Sequence, residues 1–242
     1  MELKGKTALV TGAGIRLGRA FSIALAKEGV NIIAHYNQSA KSAEETAHQV
    51  ESLGVRAVVL GADFNDPESV ENLMPEANQF FDQVQILINN AAIYLPGSGL
   101  ETDRETWERQ FRVNLQAPFL LIQSFARQLP SDQQGRIVNI SDAQIIKNKI
   151  DHFAYQLTKT TLVKMTRMFA LELAPNITVN AIGLGIMLPL AGKDVDLEAY
   201  AEKNVPLLKT GSPEIAAQNA LHLIKSEFTT GAFLRIDGGQ YL

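Results

Sequence analysis

The sequence predicts an α/β fold built on a doubly wound parallel sheet of seven strands, with helices covering both faces. Short apolar runs of strand length alternate along the chain with longer segments of helical periodicity. A glycine-rich turn joins the first apolar run directly to the first helical segment. Strand–helix alternation produces right-handed crossovers and hence a parallel sheet, so ligands are expected beyond the carboxyl ends of the strands.

The predicted elements follow one another in order along the chain. The predicted strands cover residues 7–10, 31–34, 57–60, 85–88, 136–140, 178–182 and 233–236. The predicted helices cover residues 17–28, 40–53, 67–81, 104–129, 153–173 and 213–226. Residues 183–210 show no regular periodicity and are predicted to form a substrate loop. This arrangement is that of a Rossmann sheet.

Length and composition favour one domain over residues 1–242, because a chain with 46% hydrophobic residues can bury one large core. The formal net charge is −4 and the pI is about 5.6, whereas proteins that bind a phosphate backbone usually carry a basic face. Nucleic acid is therefore not expected as a partner. The partner that we expect is a small-molecule substrate.

Metal-dependent and membrane-bound functions are not expected either. The chain has no cysteine, and its four histidines show no ligand-like spacing, so no metal site is predicted. The N-terminal residues form no apolar signal segment, and no apolar run approaches the ~18 residues of a membrane span. We therefore expect a cytoplasmic protein that makes no membrane contact.

The turn after the first predicted strand reads Thr11-Gly-Ala-Gly-Ile-Arg-Leu-Gly18. Its glycines let backbone amides and the N-terminus of the following helix approach a pyrophosphate. A glycine-rich turn alone is equally compatible with a purely structural role. Its position between the first strand and the first helix of an alternating chain favours a dinucleotide site.

The residues expected around the adenosine ribose favour NADPH over NADH. Sites that prefer NAD generally have an acidic residue after the second strand, but here the sequence reads His35-Tyr-Asn-Gln-Ser39. The guanidinium of Arg16 can bind a 2′-phosphate through charge-assisted bonds, with help from polar groups of His35, Asn37 and Ser39. The alternative is that Arg16 is only a solvated surface charge.

Tyr155 and Lys159 form the candidate catalytic pair, because a spacing of four residues places both on one face of a helix. A free tyrosine titrates near pH ~10, so proton transfer at neutral pH benefits from a nearby ammonium group. Such a pair is also common on exposed helix faces, where it has no function.

The chain resembles the short-chain dehydrogenase/reductase family over essentially its whole length. The shared residues are Thr11-Gly12 through Gly18, Ala62-Asp63, Asn89-Asn-Ala91, Asn114, Asn139 with Ser141, Tyr155 with Lys159, Asn180 and Asp237-Gly-Gly239. For Asn139 and Asn180 a structural role is sufficient, since amides often satisfy nearby backbone groups.

The resemblance implies a role for several of these residues. Asp63 would contact the adenine, Asn89 and Ala91 would line the adenine ribose, and Lys159 would hold the nicotinamide ribose. Asn114 would support a water through which protons reach Lys159. The complete set expected to bind the cofactor is Gly12, Ile15, Arg16, Leu17, His35, Tyr36, Asn37, Ser39, Asp63, Phe64, Asn90, Ala91, Ala92, Ser141, Tyr155, Lys159 and Gly185.

Two departures from the family pattern indicate a narrower group. Arg16 stands where the family usually has glycine, and Asp142 stands where it usually has serine. Together with His35-Tyr36 and the spacing from Asp142 to Tyr155, these residues are similar to those of the pteridine reductases. That group reduces dihydropterins, and sometimes folates, with NADPH.

The same resemblance implies a substrate site formed by Tyr94, Asp142, Tyr155 and Met187. Tyr94 lies three residues after Ala91, where pteridine reductases carry an aromatic residue that stacks on the pterin ring. Stacking would contribute on the order of 1 kcal/mol. Ordinary packing of a loop aromatic is the alternative for Tyr94, and Met187 can equally belong to a lid or to the core.

Asp142 also has a separate physical argument. A serine hydroxyl can donate to a ketone oxygen, whereas an ionised carboxylate repels it. A carboxylate instead accepts bonds from ring N–H and amino groups, and its charge keeps Tyr155 protonated as an acid. Both effects suit the reduction of a C=N bond. The alternative is that Asp142 only caps the following segment.

The leading hypothesis is hydride transfer from NADPH to a C=N bond of a dihydropterin-like substrate. Tyr155 would donate the proton, and Lys159, Asp142 and Asn114 would complete the catalytic set. A carbonyl reductase of a ketoacyl or sugar-like ketone is the enzymatic alternative, and a non-catalytic NADP(H)-binding sensor is the alternative of another class. The resemblance also implies a homotetramer formed through residues 104–129, residues 153–173 and the C-terminal end.

Overall fold

Seven strands form one parallel sheet, as the sequence predicts. They are β1 (Thr7–Val10), β2 (Asn31–Tyr36), β3 (Ala57–Gly61), β4 (Ile86–Asn89), β5 (Gly135–Asp142), β6 (Ile177–Leu184) and β7 (Phe233–Ile236). Their order across the sheet is β3-β2-β1-β4-β5-β6-β7. The structure is a computed structural model, and it describes residues 1–189 and 196–242.

Helices connect the strands and cover the sheet. They are α1 (Arg16–Lys27), α2 (Ala40–Glu51), α3 (Pro67–Phe80), α4 (Arg104–Phe111), α5 (Ala117–Gln128), α6 (Phe153–Glu172), α7 (Leu197–Asn204) and α8 (Pro213–Lys225). Within the two described ranges, no helix has both the length and the apolar character needed to span a bilayer.

Side chains alternate between the two faces of the sheet and build a separate core on each. In β1, Ala8 and Val10 belong to one core and Leu9 belongs to the other. Phe21 of α1 packs into the first core, and Phe125 of α5 packs into the second. Full burial of one large apolar side chain stabilises the fold by about 1.5–3 kcal/mol. The two cores therefore hold the helices firmly against a sheet whose carboxyl edge carries the polar residues.

The strand order reverses at β1, which pairs with β2 on one side and with β4 on the other. The chain leaves β1 at Thr11 and leaves β4 at Asn90, so two connecting segments diverge from the same edge. A crevice forms at such a switch point in doubly wound sheets. This is the position at which the glycine-rich turn was predicted to bind a ligand.

The structure corrects the single helix predicted at residues 104–129. A π-helical turn at Arg112–Gln116 separates α4 from α5. Pro118 has no N–H to donate to the carbonyl of Asn114, so regular α-helical bonding cannot pass this point. The widened turn is where Asn114 lies.

The structure also corrects the irregular loop predicted at residues 183–210. β6 continues through Leu184, and α7 lies inside the predicted loop. The side chain of Asp196 accepts a hydrogen bond of 3.0 Å from the backbone N–H of Ala199 and caps this helix. Eight residues are too few for a clear helical period, which explains why the sequence did not reveal α7. Residues 190–195 of the predicted loop lie outside the described residues.

Candidate active site

Two adjoining cavities of about 580 and 550 Å³ form one crevice at the carboxyl edge of the sheet. Arg16, Leu17, Asn90 and Ala92 line both cavities and mark the boundary between them. The first cavity extends along the ends of β1 and β2, and the second reaches the ends of β5 and β6. The crevice therefore has the extended form that a dinucleotide and a second ligand would need.

The glycine-rich turn opens α1 toward the first cavity. Gly12 has a φ of +66°, a conformation that favours glycine, and its N–H donates to Nδ1 of His35 at 3.2 Å. A Cβ at Gly18 would overlap the carbonyl of Gly12, so only glycine lets the helix approach the turn this closely. Ile15, at the N-cap, provides no side-chain cap, and the first turn of α1 contains no acid. The backbone N–H groups at the start of α1 therefore suit a bound anion.

His35 has a different environment from the one predicted for it. Its Nδ1 accepts from Gly12, and its Nε2 lies 3.1 Å from the carbonyl of Ala62, so the neutral ring donates from Nε2. Burial lowers the pKa of His35 to about 4. The ring also stacks on Phe64 at 4.3 Å. Both nitrogens are engaged with the backbone, so the imidazole fixes the glycine-rich turn and neither nitrogen is available to a 2′-phosphate.

Arg16 links the glycine-rich turn to the segment that follows β6. It has a φ of +53°, and its Nη2 donates to the carbonyl of Pro189 at 2.7 Å. The residue is exposed and lines both cavities. A guanidinium at this boundary can reach a phosphate in the first cavity or a polar group in the second.

The segment after β4 is anchored to the end of β1. Oγ1 of Thr11 accepts from the backbone N–H groups of Asn90 and Ala91, each at 2.9 Å. The side-chain amide of Asn90 donates to the carbonyl of Thr11 at 2.8 Å. At the end of β3, Oδ1 of Asp63 accepts from the amide of Asn37 at 3.2 Å. Short polar bonds thus set the shape of the first cavity.

Asp142 and Tyr155 meet in the second cavity. Asp142 is the last residue of β5, and Tyr155 lies in the first turn of α6. The Tyr155 hydroxyl donates to Oδ2 of Asp142 at 3.1 Å. Asp142 also accepts from the backbone and side-chain N–H groups of Gln144, at 2.8 and 3.1 Å. The carboxylate therefore caps the short 3₁₀ helix Ala143–Ile146, as the alternative proposed, and bonds Tyr155 as well.

Burial and charge shift the pKa values of Tyr155, Asp142 and Lys159. Burial, followed by the charge of Asp142, raises the pKa of Tyr155 well above its usual value. Burial also raises the pKa of Asp142, although the bonds from Gln144 and Tyr155 oppose this effect. Burial lowers the pKa of Lys159 to about 8, against the attraction of Asp142. At neutral pH the group thus contains a protonated phenol next to a buried ammonium.

Lys159 and Asn114 are held near the Tyr155 phenol by backbone contacts. Nζ of Lys159 donates to the carbonyl of Ile140 at 2.8 Å and lies 5.9 Å from the centre of the Tyr155 ring. The side chain of Asn114 exchanges two bonds of 2.9 Å with the backbone N–H and carbonyl of Ile93. Asn114 is completely buried and lies next to the site without lining either cavity.

Tyr94 packs against two neighbouring rings. It stacks on His152 at 3.8 Å with an interplanar angle of 9°, and it meets Tyr155 edge-on at 4.6 Å. The face that we predicted to receive a pterin is therefore shared with His152. These contacts are those of ordinary packing of a loop aromatic, which is the alternative to pterin stacking. Tyr94 also lines the second cavity.

The structure brings together most of the residues predicted for the site. The predicted residues that line the first cavity are Gly12, Ile15, Arg16, Leu17, His35, Tyr36, Asn37, Ser39, Phe64, Asn90, Ala91 and Ala92. Those that line the second are Arg16, Leu17, Asn90, Ala92, Tyr94, Ser141, Asp142, Tyr155, Lys159, Gly185 and Met187. Met187 is also buried against the first core. Asp63, Asn89 and Asn114 line neither cavity. The side-chain amide of Asn89 is buried and donates to Oδ1 of Asn139 at 2.8 Å.

Among the residues that the structure describes, sequence reasoning missed five polar or aromatic residues of the second cavity: Gln144, Lys149, Tyr200, Gln240 and Tyr241. The last three come from α7 and the C-terminal turn, far along the chain from the recognised motifs. Only Gln144 had a usable signal, because it follows Asp142 by two residues. In the ranges described, no group of three or more His, Asp or Glu residues is arranged to bind a metal.

Comparisons with known proteins agree with this geometry. A family model described as short chain dehydrogenase matches residues 6–197. The solved structure of FolM alternative dihydrofolate reductase 1 from Brucella canis, complexed with NADP, has 32% sequence identity and a TM-score of 0.94, covering 99% of this chain and 95% of that chain.

Two curated relatives are similar over their full length. The 3-oxoacyl-(acyl-carrier-protein) reductase FabG of Aquifex aeolicus is 31% identical, covering 100% of this chain and 99% of that protein. The L-rhamnose 1-dehydrogenase (NAD(P)(+)) of a Sphingomonas species is also 31% identical, covering 99% of this chain and 98% of that protein.

Proposed function

This chain belongs to the short-chain dehydrogenase family, and on that premise we propose that it is an NADPH-dependent reductase of a C=N bond in a dihydropterin-like substrate. The observation that carries the proposal is the bond of 3.1 Å between the Tyr155 hydroxyl and the Asp142 carboxylate. A proton donor thus lies beside an acceptor suited to ring N–H and amino groups. The FolM structure, named as an alternative dihydrofolate reductase, supports this choice of substrate.

The first cavity is the proposed site of NADPH, which supplies the hydride when bound. The uncapped first turn of α1 would bind the pyrophosphate. Arg16, Asn37 and Ser39 would recognise the 2′-phosphate, because they line this cavity and no acid follows β2 directly. The NADP bound to the FolM protein supports this assignment.

In the proposed mechanism, Tyr155 donates its proton to the nitrogen of the C=N bond, and the carbon of the same bond would receive the hydride. Burial and the charge of Asp142 keep the phenol protonated until it acts, since both raise its pKa. The ammonium of Lys159 stabilises the phenolate that remains, and a water supported by Asn114 would return the proton through Lys159. Asp142 orients the substrate by accepting its N–H groups.

A carbonyl reductase is the second candidate, and the names of two relatives favour it. FabG is named as a ketoacyl reductase, and the rhamnose enzyme is named as a sugar dehydrogenase. Both activities concern a C=O bond, whose oxygen needs a donor where this chain has Asp142. The carboxylate therefore favours the C=N substrate over the ketone.

The test is to measure NADPH oxidation with dihydrobiopterin, dihydrofolate and a ketoacyl thioester, using the wild-type protein. We expect turnover with the two pterins at a kcat/KM at least about tenfold above that for the thioester, which corresponds to ~1.4 kcal/mol. Preference for the thioester would support the carbonyl reductase instead. NADPH binding without any turnover would support the sensor.

We also propose that the protein assembles as a homotetramer through α4, α5, α6 and the C-terminal end. An apolar groove of about 740 Å³ lies between these helices. Trp107, Phe119 and Met168 line it with side chains that are exposed in the single chain. Exposed apolar patches of this kind commonly mark protein interfaces. Sedimentation analysis should give a mass four times that of the chain, and a monomer at micromolar concentration would contradict the assembly.

A further inference from the structure

A cationic rim lies at the mouth of the second cavity, and the proposed chemistry does not use it. The rim consists of Lys147, Lys149 and Tyr241. Both ammonium groups lie 5.9 Å from the centre of the Tyr241 ring. Lys149 and Tyr241 line the cavity directly, and both lysines are exposed. Two like charges thus converge on one aromatic ring at the entrance to the site.

The rim is continuous with the catalytic centre. Asp142, Tyr155, Lys149 and Tyr241 line the same cavity. Burial, followed by the charge of Asp142, raises the pKa of Tyr241, and the charge of Lys149 opposes the rise that burial causes in the pKa of Asp142. A substituent on a ring bonded to Asp142 and Tyr155 can therefore reach Tyr241 and Lys149. The substituent of the substrate ring, its tail, would contact the rim, whereas the reacting ring itself would not.

The C-terminal turn holds Tyr241 in this position. Nη1 of Arg235 donates to the carbonyl of Tyr241 at 3.2 Å. The side chain of the preceding Gln240 accepts from the N–H of Ile186 and donates to the hydroxyl of Tyr200, both at 3.1 Å. These bonds tie the turn to the end of β6 and to α7. The aromatic surface of the rim is therefore built into the fold.

The charges around the cavity favour an anion, although the chain as a whole carries a net charge of −4. Lys149 and Lys159 contribute positive charge to its lining, in addition to Arg16, which is proposed to bind the cofactor phosphate, and Asp142 is the one acid among the described lining residues. Asp142 is already bonded to Tyr155 and Gln144. Over the described residues, neither Lys147 nor Lys149 forms an ion pair within 4 Å.

We propose that Lys147 and Lys149, placed over Tyr241, bind an anionic tail of the substrate and make the enzyme favour a heterocycle that carries carboxylates over one with a neutral tail. This inference rests on the proposed function, because it concerns the substituent of the same substrate. The aromatic ring would support the apolar part of the tail, and the ammonium groups would pair with its carboxylates.

The test compares dihydrofolate, whose tail ends in carboxylates, with dihydrobiopterin, whose tail is neutral. In the double variant Lys147→Met with Lys149→Met, the KM for dihydrofolate should rise about fivefold more than the KM for dihydrobiopterin, because exposed ion pairs are individually weak. Added salt should raise the wild-type KM for dihydrofolate and affect the double variant much less. The control is Lys27→Met at the far end of α1, which should leave the ratio of the two KM values unchanged.

The possible outcomes distinguish a failure of the rim inference from a failure of the proposed function. Equal changes in both KM values, or the same ratio in the double variant and in Lys27→Met, would overturn the rim inference while leaving pterin reduction intact. If the wild-type protein reduces neither pterin, the proposed function fails and the rim inference fails with it.

Discussion

The hydroxyl of Tyr155 lies 3.1 Å from Oδ2 of Asp142, although the two residues belong to different elements. Asp142 ends β5, which pairs along its whole length with β6, and Tyr155 lies in the first turn of α6, whose buried face packs on the sheet. The pairing of β5 with β6 and the packing of α6 thus fix both positions and place the phenol within hydrogen-bond distance of the carboxylate.

Replacing Asp142 with serine should change the preferred bond from C=N to C=O. The hydroxyl can donate to a ketone but cannot accept from ring N–H groups as a carboxylate does. We expect kcat/KM for dihydrobiopterin to fall about 10- to 100-fold, since a hydrogen bond to a charged group is worth ~1.5–3 kcal/mol. Activity on a ketoacyl thioester should rise in the same assay.

The variant Asp142→Ala is the matched control for this change. Its methyl group neither accepts from ring N–H groups nor donates to a ketone, so this variant should lose pterin reduction without gaining the ketone activity of the serine variant. Unaltered pterin kinetics in both variants would show that the carboxylate does not contact the substrate.

Replacing Arg16 with glycine should weaken the binding of NADPH while changing the free energy of unfolding little. Arg16 has a φ of +53°, which glycine adopts without strain, but glycine also gives the unfolded chain more freedom and loses the bond to Pro189, so the free energy of unfolding should change by less than about 1 kcal/mol. The dissociation constant for NADPH should rise about tenfold or more as the charge is lost, whereas that for NADH should change little. Denaturant titration and fluorescence titration measure the two effects, and equal weakening of both cofactors would refute the 2′-phosphate role.

His35 should make the protein less stable in mild acid. Its pKa is lowered from 6.5 to about 4 in the fold, so the unfolded chain binds more protons between these values. This residue therefore costs stability as the pH falls below 6.5, and the cost is complete below about 4. At pH ~5 the loss relative to pH ~7 should be about 2 kcal/mol. Chemical denaturation of wild type and His35→Phe at both pH values should show a smaller loss in the variant.

Lys159 should set the alkaline limb of the pH profile. Its pKa is lowered to about 8, so the ammonium is present below that pH and is lost above it. If the ammonium stabilises the Tyr155 phenolate, kcat/KM should decline as the pH rises through about 8. In Lys159→Arg, whose guanidinium stays charged, the residual activity should lack this limb. A limb at the same pH in both proteins would assign it to another group.

Hydrophobic pattern and local chemistry explain which features could be predicted from the sequence. The seven strands were predictable because buried parallel strands read as continuous apolar runs, and the Arg16 and Asp142 departures were visible at single positions. The π-helical turn at Arg112–Gln116 was not predictable, since periodicity cannot separate it from a regular helix. Tyr200 and Tyr241 were missed because only the tertiary fold brings them to the cavity. The burial of both His35 nitrogens likewise depends on the packing of β1 against β2.

The most direct test of the account is Tyr155→Phe, assayed for both turnover and NADPH binding. The phenol acts on the transferred proton and not on the pyrophosphate, so we expect turnover of dihydrobiopterin to fall by at least about 10³-fold. The dissociation constant for NADPH should stay within about twofold of the wild-type value. Turnover that survives the substitution with an unchanged rate would contradict Tyr155 as the proton donor.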